Sequence, residues 1–231
     1  MSLRLLVADT VEEKEAAQAV EAQVFLESFG NTADVMAQEY GPYADRSRFV
    51  TVIDDSDGSA LGVVRLVLPD ATGELKTLTD VAGDPWRLDV PDVLRAAGLA
   101  DRPVWDVATL AVDRRHRAGA SRSEVTLALC HGLYTYSRAC GVDGWVTVLD
   151  DRVLRLLRVM GVPWTAMAGA TSRYYLGSPA STPCVCLIGA IEANMRALRP
   201  DVSPAMLDGR LQSITVDPAD LRAERGAGLT V

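Results

Sequence analysis

The stretch that decides the fold runs from Val104 to Arg122, VWDVATLAVDRRHRAGASR. Residues Val104–Val112 are apolar except for one acid and one threonine, which reads as a strand buried on both faces. Residues 113–122 then hold four arginines against one aspartate, with Gly119 among small neighbours. From Ser121 the period changes: Val125, Leu129, Leu133 and Tyr136 share one side of a helix to about Cys140, which Gly141 ends. A strand thus passes through a cationic, glycine-containing loop straight into a helix. The unpaired N–H groups of a helix N-terminus, aided by guanidinium charge, suit a pyrophosphate or the phosphate of phosphopantetheine. A solvated basic turn is the other reading of the same spacing.

Downstream, 144–149 (GWVTVL) reads as a strand, 150–160 as a helix ended by Gly161, and 162–168 and 183–190 as two more strands. Upstream, 48–53 and 60–68 are strands joined by DDSDG at 54–58, a turn that makes them an antiparallel hairpin. Before them, 3–8 is a short apolar run. Asp9 and Thr10, with Glu12 and Glu13 behind them, open a helix to about Phe29, and a short helix falls near 32–39. Residues 69–103 are the least regular interior part, with one short helix at 91–97; an excursion of that length counts as lid-like or functional. Two strand–helix–strand crossovers predict a parallel centre and antiparallel flanks, so the expected class is α/β (α+β), one mixed sheet flanked by helices. The expected organisation is a single domain over 1–192 and a partly irregular C-terminal extension over 193–231.

Composition narrows the function. Of 231 residues 48% are apolar and 23% charged, which excludes wholesale disorder. No apolar run approaches the roughly 18 residues of a spanning helix. The N-terminus turns acidic where a signal peptide stays apolar, so a cytoplasmic protein without membrane contact is expected. Net charge is −8, from 31 acidic and 23 basic residues, which argues against nucleic acid as a partner. Only Lys14 and Lys76 are lysines; the other basic residues are arginine. Cys184 and Cys186 alternate as small core hydrophobes of a strand, and His116 and His131 stand far apart, so no metal is expected.

The element order, with the 115–120 loop RHRAGA, resembles the GNAT acyltransferase superfamily. There the phosphate loop is Q/R-x-x-G-x-G/A, and the strands on either side of the following helix splay to admit an acyl-thioester arm. Here Ala118 stands at the first glycine position and Ala120 at the last. Phe29, 39–53 (EYGPYADRSRFVTVI), 62–78 (GVVRLVLPDATGELKTL) and 105–112 (WDVATLAV) resemble the N-acyl-homoserine-lactone (autoinducer) synthase branch and the related long-chain N-acyl amino acid synthases. Arg65 matches the arginine of R-L-L-P, Asp106 the acid of the E-x-S-R-F-x-V strand, and Asp45 a position of the acidic stretch. Ala108 and Thr109 replace the Ser-Arg pair, so the resemblance stops short of lactone formation.

The resemblance implies an N-acyltransferase that moves an acyl group from acyl-CoA or acyl-phosphopantetheine on acyl carrier protein to a small amine. The alternative is a non-catalytic module that senses acyl thioesters; an ordinary acetyltransferase is a third reading. Aminolysis needs a base and a stabilised oxyanion. Asp106 is the candidate base or amine-orienting residue, or else an acid exposed at the strand's start or paired with an arginine such as Arg65. Arg65 is a second catalytic candidate or a structural partner. The resemblance assigns the donor to backbone of Leu110, Ala111 and Val112 and to Arg115, Arg117, Ala118, Gly119, Ala120 and Arg122. Phe29, Asp45, Trp105 and Trp145 are candidates for substrate contact. Phe25, Trp86, Met160, Trp164 and Met167 are further tunnel candidates. Many GNAT enzymes carry a proton-donating tyrosine four residues before the glycine that ends the penultimate helix. Leu157 stands there, leaving Tyr174 or Tyr175 to supply it, or no tyrosine at all, as in the autoinducer branch.

Overall fold

A computed structural model describes residues 2–116 and 121–222, apart from the side chains of 121–123. The Asp/Gly turn does make a hairpin: β2 (Ser47–Asp54) and β3 (Ala60–Val67) pair antiparallel, and β1 (Leu3–Val7) joins the outer edge of β2. β4 (Val104–Val112) pairs antiparallel with β3 and parallel with β5 (Gly144–Asp150). β8 (Ser178–Leu187) lies on the far side of β5, antiparallel to it. Beyond β8 come β6 (Thr165–Ala166) and β7 (Arg173–Tyr175), side by side along its length. β9 (Ile214–Val216) closes the other edge, parallel to β1. The result is one mixed sheet of GNAT-like form, with helices on both faces.

Every residue of β3 is buried, because each face of this part of the sheet is covered. On one face lies α1 (Val11–Phe29), opened by a Thr10–Glu13 capping box and packed through Val20 and Val24 on Phe49, Ile53 and Val63. Farther along the same face lie α3 (Lys76–Ala82) and α4 (Val90–Ala96), which bury Val81 and Val93 with Val104, Val146 and Val185. The opposite face carries α5 (Ser121–Ala139), α6 (Asp151–Val159), α7 (Ile188–Leu198) and α8 (Ser203–Asp208) over the largest core cluster. α2 (Ala33–Tyr40) and a 3-10 turn over Gly41–Arg46 lead from α1 into β2.

The structure departs from the expected elements in places where order is non-local. The expected strand at 162–168 shrinks to β6. β8 begins at Ser178, not at Pro183, and gives way to α7 at Ile188. A proline is read as a strand start, yet in register Pro183 falls between β7, which reaches Ser181, and β6, which starts at Cys184. Within 69–103 an unexpected helix, α3, forms. Residues 193–222 hold the rest of α7, then α8 and β9, and Met195, Met206, Ile214 and Leu221 are buried in the main core. Among the described residues, no helix is long and apolar enough to cross a membrane.

Candidate active site

The parallel seam between β4 and β5 is short. The strands pair only at Val104–Gly144, Trp105–Trp145 and Asp106–Val146. Above that point β4 stays on β3 as far as Val112, and β5 stays on β8 as far as Asp150, so the two diverge. A bulge helps: Leu66 faces Val107 and Arg65 faces Thr109, leaving Ala108 as the extra residue that bends β4. The last bond across the seam is made by a side chain, the Thr147 hydroxyl donating to the Val107 carbonyl at 2.7 Å.

The wedge opens into a cleft of about 90 Å³ that is lined from both faces of the sheet. On the α1 side it is bordered by Phe25, Phe29, Tyr40, Thr109 and Tyr175; on the α5 side by Cys130, Leu133, Trp145, Leu157, Trp164 and Met206. Phe25 and Phe29 pack ring on ring at 5.4 Å, and Trp145 and Trp164 at 5.9 Å. The mouth is stapled: the Asn31 side chain donates to the Leu176 carbonyl at 3.0 Å, and Gly177, at φ +81°, lies against the Phe29 carbonyl where a Cβ would collide.

Two charged clusters flank the α1 side. In the first, Arg65 on β3 meets Glu21 on α1 in a bidentate pair, both buried, and donates to Ser47 at 3.2 Å. Its guanidinium sits between the rings of Tyr40 (4.8 Å) and Phe49 (4.7 Å), and Thr109 donates to Glu21. In the second, Lys76 on α3, only 3% exposed, donates to Asp80 (2.6 Å), Glu39 (3.1 Å) and the Tyr175 hydroxyl (3.1 Å). Burial opposes the Lys76 charge, but Asp80 and Glu39 outweigh it and raise its pKa. Tyr175 donates to Asp80; burial and the Asp80 charge push its hydroxyl well above the ordinary value.

Asp106 joins these clusters at the apex of the wedge. It is 0% exposed, and both its oxygens accept from Thr77, one from the amide and one from the hydroxyl at 2.9 Å. Burial raises its carboxyl to about 7, against the lowering effect of those bonds. Its partner is therefore the first turn of α3; Arg65 is taken by Glu21. Asp106 stands one residue below Val107, where the cleft lining begins.

The other candidates divide. Phe29, Trp145 and Leu110 line the cleft, as do Phe25 and Trp164. Ala111 is packed under α1 and Val112 against the α5-side core. Trp105 packs on Tyr136 at 5.4 Å, away from the cleft, and Asp45 is exposed in the 3-10 turn. Arg115 is 75% exposed in its side chain and paired with buried Asp113 at 2.7 Å. Arg117, Ala118, Gly119 and Ala120, and the side chain of Arg122, lie outside the described residues. Of the two tyrosines, Tyr175 borders the cleft and Tyr174 is exposed. Trp86 stacks on Tyr175 at 5.4 Å. Sequence reasoning missed Glu21, an acid among Ala17, Val20 and Val24 on the buried stripe of α1. A lone acid on such a stripe, in a chain with a lone arginine in an apolar strand, is the signal that could have found the pair. Among the described residues, no group of three or more His, Cys, Asp or Glu could hold a metal.

The comparison that decides the family covers more than half of the chain: residues 38–174 match the family described as autoinducer synthase. The chain belongs to the autoinducer synthase family. It is thus an acyltransferase. Solved structures of similar fold include FeeM, an N-acyl amino acid synthase from uncultured soil microbes, at TM-score 0.60 and 12% identity over 83% of this chain and 94% of that one. The AHL synthase LasI aligns at TM-score 0.57 and 17% identity over 86% and 94%. BjaI, a CoA-dependent acyl-homoserine lactone synthase solved with SAM and isopentyl-CoA, aligns at 0.54 and 13% over 94% of each chain. Among curated proteins there is no significant match.

Proposed function

We propose that the protein is an N-acyltransferase in which an acyl thioester, carried on coenzyme A or on acyl carrier protein, enters the β4–β5 wedge and gives its acyl group to a small amine. The observation that carries this reading is the seam: two parallel strands that part after three residue pairs, above which lies a largely apolar cleft lined from both faces of the sheet. The amine nitrogen attacks the thioester carbonyl, the C–N bond forms, the C–S bond breaks, and the thiolate leaves to take up a proton. In this reading Asp106 accepts the amine's proton through one intervening hydroxyl or water. A carboxyl near 7 is suited to that at neutral pH. Arg65, through Glu21 and Thr109, holds the acceptor side in shape.

The backbone of Leu110 to Val112 would pair with the pantetheine amides. Arg115, Arg117 and Arg122, with the amides of 118–120, would hold the phosphates. Phe29 and Trp145 border the acyl path. Ala108 and Thr109 stand where the resemblance has the Ser-Arg pair, which favours an acceptor other than that of lactone synthesis. An acidic carrier protein is a fitting donor, because α6 exposes Arg152, Arg155 and Arg158 beside Leu156 and Val159, directly after β5. With these donors the reaction would run in the cytoplasm. The domain over 1–192 carries it, and the extension over 193–231 contributes Met206.

The test is amine-dependent thiol release from acyl-CoA and from acyl carrier protein with pooled small amines, alongside donor binding by native mass spectrometry. Amine-dependent release is expected from the wild type. Asp106→Asn should lower it by about 10²–10⁴-fold, the usual span of general-base catalysis, with donor binding within several-fold. Binding without any amine-dependent release would replace the transferase with a thioester sensor. A collapse of donor binding in Asp106→Asn would make Asp106 an anchor for α3 alone.

A further inference from the structure

We infer that Met206, on α8, is the end stop of the acyl compartment and sets the length of acyl chain the protein accepts; this rests on the thioester reading above. On the α5 side the cleft is bounded by residues of four kinds, one of them Leu157, buried on α6. Cys130 and Leu133 belong to α5, whose packing on the sheet they share. Trp145 and Trp164 are locked, Trp145 donating to Ser137 at 2.9 Å while stacked on Trp164. Met206 alone of these comes from the C-terminal segment, 1% exposed yet bordering the cleft. It lies with the α5-side core, on the other face of the sheet from the mouth at Phe29, Leu176 and Gly177.

Its position is fixed by its backbone. The Met206 carbonyl meets His131 Nδ1 on α5 at 2.9 Å, which makes Nδ1 the donor. Three residues on, Gly209 turns at φ +66°, and a Cβ there would come within 2.7 Å of His131 Nε2. α8 is therefore clamped to α5 at both points, and the methionine is aimed into the cleft. The side chain itself is unbranched, with three rotatable bonds, and can yield to or resist the end of a chain as no locked tryptophan can. Truncation to alanine removes Cγ, Sδ and Cε, room for about three methylenes. Each methylene newly accommodated is worth about fourfold in affinity.

The experiment measures kcat/KM and binding for straight-chain acyl-CoAs from butyryl to palmitoyl, with one amine, in the wild type, Met206→Ala, Met206→Leu and Met206→Phe. Met206→Ala should move the optimum about two to three carbons longer and raise kcat/KM for the first chain beyond the wild-type optimum by at least about fourfold. Met206→Phe should move the optimum shorter, and Met206→Leu should leave it in place. Should the alanine variant fail to fold, Met206→Val and Met206→Phe carry the same comparison. Turnover or binding with the wild-type chain-length order in both directions of substitution overturns the assignment to Met206 and leaves the transferase reading standing. A wild type that binds no acyl thioester of any length overturns both.

Discussion

The two faces of the split sheet border the same cleft with opposite chemistry. On the α1 side stand Glu21, Arg65, Asp106, Lys76, Asp80 and Tyr175; on the α5 side Cys130, Leu133, Trp145, Leu157, Trp164 and Met206 are all uncharged, and the carboxylate of Asp150 at the rim, the N-cap of α6, is taken up by Arg152 and Ser178. The polar side is held by partners: among the described residues no buried side-chain nitrogen or oxygen lacks one. Such networks are stable only when complete, because an orphaned buried charge costs far more than a lost exposed one. The apolar side is held by close packing, which tolerates a change of volume better than a change of charge. The difference teaches a division of labour: the α1 side suits chemistry at a fixed point, and the α5 side suits storage of a chain of some adjustable length.

The comparison breaks most violently at Arg65. Arg65→Ala would leave Glu21 buried with Thr109 as its remaining donor, so a loss of about 3–5 kcal/mol is expected. For a chain of this size that lowers the melting midpoint by roughly 10 °C or more. Cys130→Ala, on the other face, removes a small apolar group and should cost far less. A double variant, Glu21→Leu with Arg65→Met, sharpens the test. Replacement of a buried pair by apolar residues is often neutral, so stability should largely return while amine-dependent release does not. Return of both in thermal melts and thiol release would make the pair a packing device only.

Asp106 is next. A carboxyl raised to about 7 in the fold, from about 3.9 in the unfolded chain, binds its proton more tightly when folded. Its contribution to stability is then fully present below about pH 4 and is lost as pH rises through 7. Asp106→Asn removes that titration. The difference in unfolding free energy between variant and wild type should therefore shift in favour of the variant by a few kcal/mol between about pH 4 and 7. Chemical denaturation at several pH values reads it. In the wild type, kcat/KM should rise with pH through the same region, since the base works ionised. A pH-independent difference would mean that Asp106 is ionised throughout.

How much of this was legible in the sequence follows from where each bond is made. β2 to β5, α1 and α5 are long runs bounded by local turn signals, whereas the splay of β4 from β5 is implied by the family resemblance and not by any periodicity. α3 was not, since KTLTDVA carries no side-chain cap of its own. Its first turn is held by Asp106, 29 residues away, and such a partner leaves no local trace. β9 is likewise a strand only because β1 offers it an edge. Glu21 and Arg65 are each visible as single charges in apolar runs, but their pairing spans 44 residues. Asp45, carried over by likeness of motif, falls in the exposed 3-10 turn, and Trp105, chosen as an aromatic of β4, turns to Tyr136, because aromatic character does not specify which face of a strand borders the opening.

The smallest effect expected is at Thr147, where the closed and open parts of the seam meet. Thr147→Val keeps the shape and removes only the hydroxyl that donates to Val107. Loss of one neutral hydrogen bond that leaves its acceptor behind costs about 1 kcal/mol, or a few degrees in melting midpoint. The consequence for function depends on what holds the wedge at its present width. If the bulge at Ala108 sets the divergence, donor binding in Thr147→Val should match the wild type, because β4 is bent away with or without the clasp. If the clasp limits the divergence, KM for the thioester should move by several-fold while kcat barely changes. We expect the first outcome, since backbone curvature imposed by β3 and β8 on either side acts on the strands along their whole length, whereas the hydroxyl acts at one point. Thr147→Ser, which restores the donor without the methyl group, separates the bond from the packing: it should recover most of the lost midpoint, and failure to do so would assign the clasp's contribution to the methyl group instead.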